Sequence, residues 1–383
     1  MAKIELIATS AFGLEAIVAR EIAALGYERV RVDNGKVYFA GDESAICRSN
    51  LWLRSADRVL INMGEFEAKS FEELFQKTKA LPWEEWLNGE ACFPVDGKSV
   101  KSKLFSVSDC QAIVKKAIVE RLKECYGISW FEETGPVYRI QVALLKDKAT
   151  LTIDTSGKGL HKRGYRELAG EAPLKESLAA ALISLSRWKH DRALIDPFCG
   201  TGTIPIEAAM IAQNRAPGLK RDFAAESWPQ ISPQLWIKAR EEAEDLWQRE
   251  LPLNIFGSDI DSKALSLARI HSQEAGFTGK IFFQRLPVKE IGSRFKYGHI
   301  ITNPPYGLRL NKNEEVENSY RELGGVWQKL ETWSLHVLTA LPQPELYIGK
   351  RWDKSRKLYN GRIECHLFQF FGPKPPSRQK SEE

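Results

Sequence analysis

The stretch DPFCGTGTIPIEAAM, from Asp196 to Met210, constrains the fold of this chain more than any other. A β-rich run, Ala193 to Ile195, delivers Asp196 at its end, and Gly200 and Gly202 then predict a tight turn before a helix beginning about Thr203. A strand that passes through a glycine turn into a helix belongs to a mostly parallel α/β sheet. Its ligand sits outside the strand ends, against helix-terminal amides. The dinucleotide fingerprint G-x-G-x-x-G is not met, because Pro205 stands where its third glycine would be.

Two later segments bear on the same crevice. In NIFGSDIDSKALSLA a strand is expected to end at Asp259, where a carboxylate can accept both hydroxyls of a ribose, while Asp261 reads as the cap of the next helix. The interval from Asp196 to Asp259 exceeds a plain strand–helix–strand unit, so residues 213–250 are expected to hold inserted helical material. In HIITNPPYGLRL a further β-rich run leads to Asn303-Pro304-Pro305-Tyr306. Successive prolines stiffen the backbone and hold a carbonyl out of a ladder. The Asn303 amide oxygen and the Pro304 carbonyl then form two acceptors for one –NH₂ group, and Tyr306 offers an aromatic face to a base taken out of its stack.

At 383 residues, two or more domains are expected. The N-terminal part reads as a small α+β region. KIELIAT and KVYFA are strand-like around a helix through Leu14, Ile17, Val18 and Ile22 that Gly26 closes. DRVLINMGEF is another strand. Ser70 with Glu73 predicts a capping box, as does Ser108 with Gln111 for a helix ending near Gly127. VYRIQVALL and TLTIDT close the region across KDKA. The expected division is 1–65, 66–156, a linker 157–173, a sheet domain 174–376 and a disordered tail 377–383.

No apolar run approaches the ~20 residues of a membrane span, and the start lacks a signal-peptide pattern, so a cytoplasmic location is expected. The six cysteines are scattered, and neither they nor the six histidines show metal-ligand spacing, so no metal is expected. Cys199 reads as a small residue of the turn rather than a nucleophile. Trp83, Trp86, Trp228 and Trp236 read as packing residues. A net charge of +5 permits a polyanionic partner only through local patches. Two stretches qualify: Lys98, Lys101 and Lys103 in the loop-like GKSVKSK, and Lys158, Lys162, Arg163 and Arg166 in KGLHKRGYR.

Taken together, DPFCGTGTIPIEAA, GSDID, TNPPYG, LHKRGYRELAGEAPLKESLAAAL, APGLKRDFAAESW and RKLYNGRIECHLFQFFG resemble the bacterial THUMP-domain RNA methyltransferases, close to the 23S rRNA guanine-N2 type. The resemblance covers nearly the whole chain. It implies a ferredoxin-like segment and a THUMP RNA-binding domain before a class I, Rossmann-like methyltransferase sheet with an antiparallel last strand. It also implies S-adenosylmethionine as cofactor, with Asp196, Pro197, Phe198, Gly200, Thr201 and Gly202 on its methionine side, Asp259 at the ribose and Ile260 beside adenine. Asn303, Pro304 and Tyr306 would handle the target amine. After the third strand many relatives place an acid near the adenine amino group; here FFQRLPVKE offers Gln284 or Leu286. The partner implied is RNA, 23S rRNA first and tRNA as the alternative. A DNA adenine methylase is disfavoured by the THUMP-like half, and a non-catalytic ribosome-assembly factor by the intact motifs.

Overall fold

The computed structural model describes residues 3–166, 174–306 and 313–376. These residues form two compact units, and chain order does not simply divide them. The first takes the residues through Ser10, Val18–Leu160 and Arg221–Glu242; the second takes Ala11–Ile17, His161–Lys220 and the residues from Ala243 onward. The segment 221–242 therefore lies with the N-terminal unit, although in sequence it interrupts the sheet domain.

The first unit is built on one sheet. Its elements run β1 (Ile4–Thr9), most of α1 (Glu15–Ala24), β2 (Glu28–Asp33), β3 (Lys36–Gly41), α2 (Glu43–Trp52), β4 (Arg58–Glu67), α3 (Phe71–Lys79), β5 (Val95–Val100), α4 (Val107–Tyr126), β6 (Arg139–Leu145) and β7 (Lys148–Asp154). The strand order is β2-β3-β1-β4-β7-β6-β5. Long β4 bridges the two halves: Arg58–Ile61 pair with β1, and Leu60–Glu67 pair with β7 across a bulge between Asn62 and Gly64. Lys146 and Asp147 both have positive φ, 51° and 64°, the geometry that a two-residue hairpin between β6 and β7 requires.

Three local expectations change. GKSVKSK is not all loop: Val95–Val100 pairs in parallel with β6 as an edge strand, so Lys98 lies on a strand. A polar edge strand gains its conformation from its neighbour and leaves little hydrophobic alternation to read. The same holds for β2, ERVRVD, which sequence reasoning did not anticipate. Ser106, not Ser108, precedes α4, and the Gln111 side chain donates instead to the Val95 carbonyl (2.9 Å). By contrast, Ser70 caps α3, with Glu73 reaching back to the Lys69 amide, and Gly127 ends α4 in the left-handed region. Trp83 and Trp228 are fully buried, Trp228 stacked on Tyr138 at 4.5 Å, and Trp86 and Trp236 are buried too.

The second unit contains α5 (Glu176–Ser186), β8 (Leu194–Asp196), α6 (Thr203–Ala212), part of α7 (Pro233–Asp245), β9 (Ile255–Asp259), α8 (Ser262–Glu274), β10 (Phe282–Arg285), β11 (His299–Thr302), α9 (Asn313–Lys329), β12 (Ser334–Thr339), α10 (Glu345–Ile348), β13 (Lys354–Asn360) and β14 (Ile363–Phe370). Helix α7 lies in the insertion expected at 213–250. The sheet order is β10-β9-β8-β11-β12-β14-β13, with β8 to β12 parallel and β14 antiparallel to β12. Alternate strand residues separate onto two faces: Leu194, Ile301 and Leu367 enter one core cluster, and Ile195, Ile300 and Phe368 the other. The order turns back between β8 and β11, which opens a crevice at their C-terminal ends. The C-terminal part of the expected linker, 167–173, and the expected disordered tail, 377–383, lie outside the described residues.

Candidate active site

Three strand ends meet at this crevice. At the end of β8, Asp196 is 1% exposed, and its Oδ1 accepts the Thr302 hydroxyl (2.6 Å) and the Phe198 amide (3.2 Å). Burial raises its pKa to about 7, against those two hydrogen bonds and with help from the nearby charge of Asp259. The turn that follows is tied to β9: the Cys199 amide donates to the Ser258 carbonyl (3.0 Å), and the Gly200 amide to Asp259 Oδ2 (2.9 Å). Gly202 needs to be glycine twice over. Its φ is +85°, and a Cβ would sit 3.1 Å from both Ala268 and the Phe283 ring. Around a Cβ built on Gly200 no atom lies within 4 Å, so this side of the turn is open for a ligand to approach the backbone. Pro197 and Cys199 are buried, and Thr201 is held by its carbonyl against His271 Nδ1 (3.1 Å).

At the end of β9, Asp259 Oδ1 accepts the Asp261 amide (3.0 Å) while Oδ2 takes Gly200. Each carboxylate oxygen is thus oriented by one backbone donor and keeps a lone pair for a further donor. Asp261 caps α8 through the Lys263 amide (2.8 Å), as its sequence position suggests. Between them Ile260 is 68% exposed, an aliphatic side chain left standing at the crevice. Gln284 is exposed on β10, in register with Ser258 on β9.

At the end of β11, Asn303 is half-buried, Pro304 buried and Pro305 exposed. The Tyr306 hydroxyl donates to Asn303 Oδ1, and its ring packs against the core cluster that contains Cys365 and Leu367. Burial raises the Tyr306 phenol well above its ordinary value. In this conformation the side chain is partly buried and packs against that cluster, where the sequence suggested an aromatic face offered to a base. Gly307 of the TNPPYG segment lies outside the described residues.

The basic candidates separate. Lys98, Lys101, Lys103, Lys158 and Lys162 are exposed. Arg163 is not available to a phosphate: it is 3% exposed and pairs with Glu207 of α6 (3.3 Å). Arg166 also turns inward, to Glu176 (2.9 Å) and the Thr203 hydroxyl (3.0 Å). Both were expected on an RNA surface. A basic run has no signal of its own for burial; the matching carboxylates, Glu176 and Glu207, are what give these arginines an interior role.

A family model described as RMKL-like, methyltransferase domain, matches residues 163–369, just over half of the chain. The chain belongs to the RMKL-like methyltransferase family. The N-terminal part of this RMKL-like methyltransferase is matched by an RlmL ferredoxin-like domain at 5–60 and a THUMP domain at 68–154. It is 50% identical over 384 residues to YpsC of Bacillus subtilis, named provisionally as an RNA methyltransferase, with both chains covered in full. It is 35% identical over 405 residues to the ribosomal RNA large subunit methyltransferase K/L of Syntrophotalea carbinolica; all of this chain is covered, but it spans only 56% of that protein. A crystal structure from Listeria monocytogenes, described as a predicted N6-adenine-specific DNA methylase, superposes with a TM-score of 0.94 at 53% identity over 97% of each chain. SMU.472, described as a methyltransferase and solved as a complex with SAH, gives 0.93 at 43% identity, over 98% of this chain and all of that one.

Sequence reasoning missed two residues of the RMKL-like site. Thr302 holds Asp196, and its only signal is its place directly before Asn303. Arg285 donates from Nε to the Ile260 carbonyl (3.1 Å), fixing the residue beside Asp259, and nothing in the local sequence marks it.

Proposed function

We propose that this methyltransferase moves a methyl group from S-adenosylmethionine to the exocyclic N2 amine of a guanine in large-subunit ribosomal RNA, in the cytoplasm. The observation that carries the reading is the meeting of Asp196, Asp259 and Asn303 at the ends of three strands flanking the switch point. The cofactor fits these residues. The open space at Gly200, the oriented Asp259 carboxylate and exposed Ile260 offer a backbone approach, a ribose acceptor and an apolar adenine contact. When bound, S-adenosylmethionine supplies an electrophilic methyl on a sulfonium. Asp196, Phe198, Gly200 and Gly202 would line its methionine side, with Gln284 toward the adenine.

Asn303 Oδ1 has two lone pairs; the Tyr306 hydroxyl occupies one and leaves the other for a substrate N–H. With the Pro304 carbonyl as second acceptor, both hydrogens of an amine are held and its lone pair is aimed. Orientation and preorganised dipoles then supply most of the rate, without a strong base. The THUMP match and the relatives named for RNA favour RNA over DNA as acceptor.

The test is tritiated methyl transfer to total RNA and, in parallel, to genomic DNA from a deletion strain, with nucleosides identified by mass spectrometry. Label as N2-methylguanosine in 23S rRNA is the expected result. Label in tRNA would keep the chemistry and change the partner. Label only as N6-methyladenine in DNA, or no transfer and no cofactor binding, would overturn the reading.

A further inference from the structure

Strand β11 delivers Asn303, and a side chain ties the end of that strand to its neighbour. The register of β11 with β8 ends at the pair Ile300–Ile195, whereas its register with β12 runs on to Thr302–Val337. Beyond Ile300 the Thr302 hydroxyl reaches across to β8 and donates to Asp196 Oδ1 (2.6 Å). Two prolines then follow Asn303, and neither Pro304 nor Pro305 has an N–H by which the main chain could be anchored. Thr302 is thus tied to β12 by the ladder and to β8 by its side chain. It stands directly before the two acceptors assigned to the target amine, Asn303 Oδ1 and the Pro304 carbonyl.

Thr302 and Asp196 are both buried, so their hydrogen bond does not compete with water and is strengthened by its surroundings. It belongs to a longer series. Asp259 Oδ2 accepts the Gly200 amide, Asp196 Oδ1 accepts the Phe198 amide as well as Thr302, and Asn303 Oδ1 accepts the Tyr306 hydroxyl. These contacts run from the ribose acceptor on β9, through the glycine turn, to the amine acceptor after β11. Thr302 links the cofactor half of the series to the amine half. The link depends on a hydroxyl rather than on bulk, since a valine of the same shape would leave Asp196 Oδ1 with the Phe198 amide. Drawing the end of β11 toward β8 fixes where the Asn303 backbone leaves the sheet. A group displaced by about 1 Å in such a site costs ~10²-fold in rate.

We propose that Thr302 is a positioning residue for methyl transfer: its hydroxyl, held by Asp196, fixes the end of β11 so that Asn303 and the Pro304 carbonyl meet the target amine. The inference rests on the RNA-methyltransferase reading and adds to it a buried residue that acts through Asn303. Full-length protein in excess would transfer tritiated methyl to total RNA from a deletion strain in a single turnover. Saturating S-adenosylmethionine at about pH 8.5 keeps any change in cofactor binding out of the rate. Thr302→Val should be slower by about tenfold, the size of one hydrogen bond to a charged acceptor. Thr302→Ser, which keeps the donor, should restore most of the rate. In an Asn303→Ala background the valine should add no further loss, because residues that act through one contact are not additive. Thr302→Ala takes the place of the valine variant if that one does not fold. In a protein whose wild type methylates RNA, three results would overturn the positioning role: an unchanged rate without the hydroxyl, a serine variant as slow as the valine one, or a further loss of about tenfold in the double variant. A wild type that transfers no methyl to RNA would instead overturn the reading beneath it.

Discussion

The Tyr306 hydroxyl donates its hydrogen bond to Asn303 Oδ1, so two side chains that sequence reasoning aims at the substrate are turned toward each other. The contact makes their contributions separable. Asn303→Ala removes an acceptor and should lower turnover by ~10²–10³-fold with cofactor affinity near normal. Tyr306→Phe keeps the ring and frees the acceptor, so its turnover should stay within about fivefold of wild type, the size of one ordinary hydrogen bond. Single-turnover methyl transfer distinguishes them. A Tyr306→Phe defect as deep as that of Asn303→Ala would place the hydroxyl in the chemistry.

Asp196, proposed to line the cofactor, should give its binding a pH dependence near neutrality. Burial raises its carboxyl to about 7, and the Thr302 hydroxyl opposes the rise. A cationic cofactor favours the ionised form, so affinity for S-adenosylmethionine should hold above about 7 and fall by about tenfold per pH unit below it. Thr302→Val removes the opposing hydrogen bond, raises the carboxyl further and should shift the inflection upward. Calorimetric titration between pH 5.5 and 8.5 would show it. A flat profile in the wild type means that Asp196 does not sense the cofactor's charge.

The buried pair Arg163–Glu207, with side chains 1% and 0% exposed, predicts a structural phenotype where an RNA-binding one was expected. Arg163→Ala leaves Glu207 of α6 buried without this ion-pair partner and should cost roughly 3–5 kcal/mol of stability. The salt slope of RNA binding should not change. Urea unfolding and RNA titration of one preparation decide the matter; a flattened salt slope at unchanged stability would return Arg163 to the RNA surface.

These outcomes mark what the sequence made legible. Strand ends followed by Asp196, Asp259 and Asn303 carry strong local signals, because glycine turns, caps and proline pairs act within a few residues. The alternation of strands and helices makes their sheet mostly parallel, and its strand order brings them together. Polar edge strands such as β2 and β5 are less visible, since pairing with a neighbour fixes them. Least visible are partners distant in sequence: Thr302 on Asp196, Glu207 on Arg163, and Gln230 of the 221–242 segment on Tyr138. Each depends on a carboxylate, hydroxyl or amide that has no local reason to stand out.

Behind the site, His299 of β11 and His336 of β12 lie ring against ring, with Nδ1 of the first 3.2 Å from Nε2 of the second. Gln369 of β14 contacts His336 Nδ1 at 3.2 Å. Burial lowers His299 to about 4, with Arg192 adding to the effect, and takes His336 well below its ordinary value, with His299 adding to it. Because both folded values lie below the unfolded one of about 6.5, the stabilisation is complete above that pH. It is lost as pH falls from about 6.5 toward 4, at up to roughly 1.4 kcal/mol per pH unit for each histidine. His336→Gln removes one proton acceptor from the pair and should flatten the decline in urea stability between pH 7 and 5. If wild type and variant lose stability in parallel over that interval, the histidine pair does not set the acid sensitivity of this sheet.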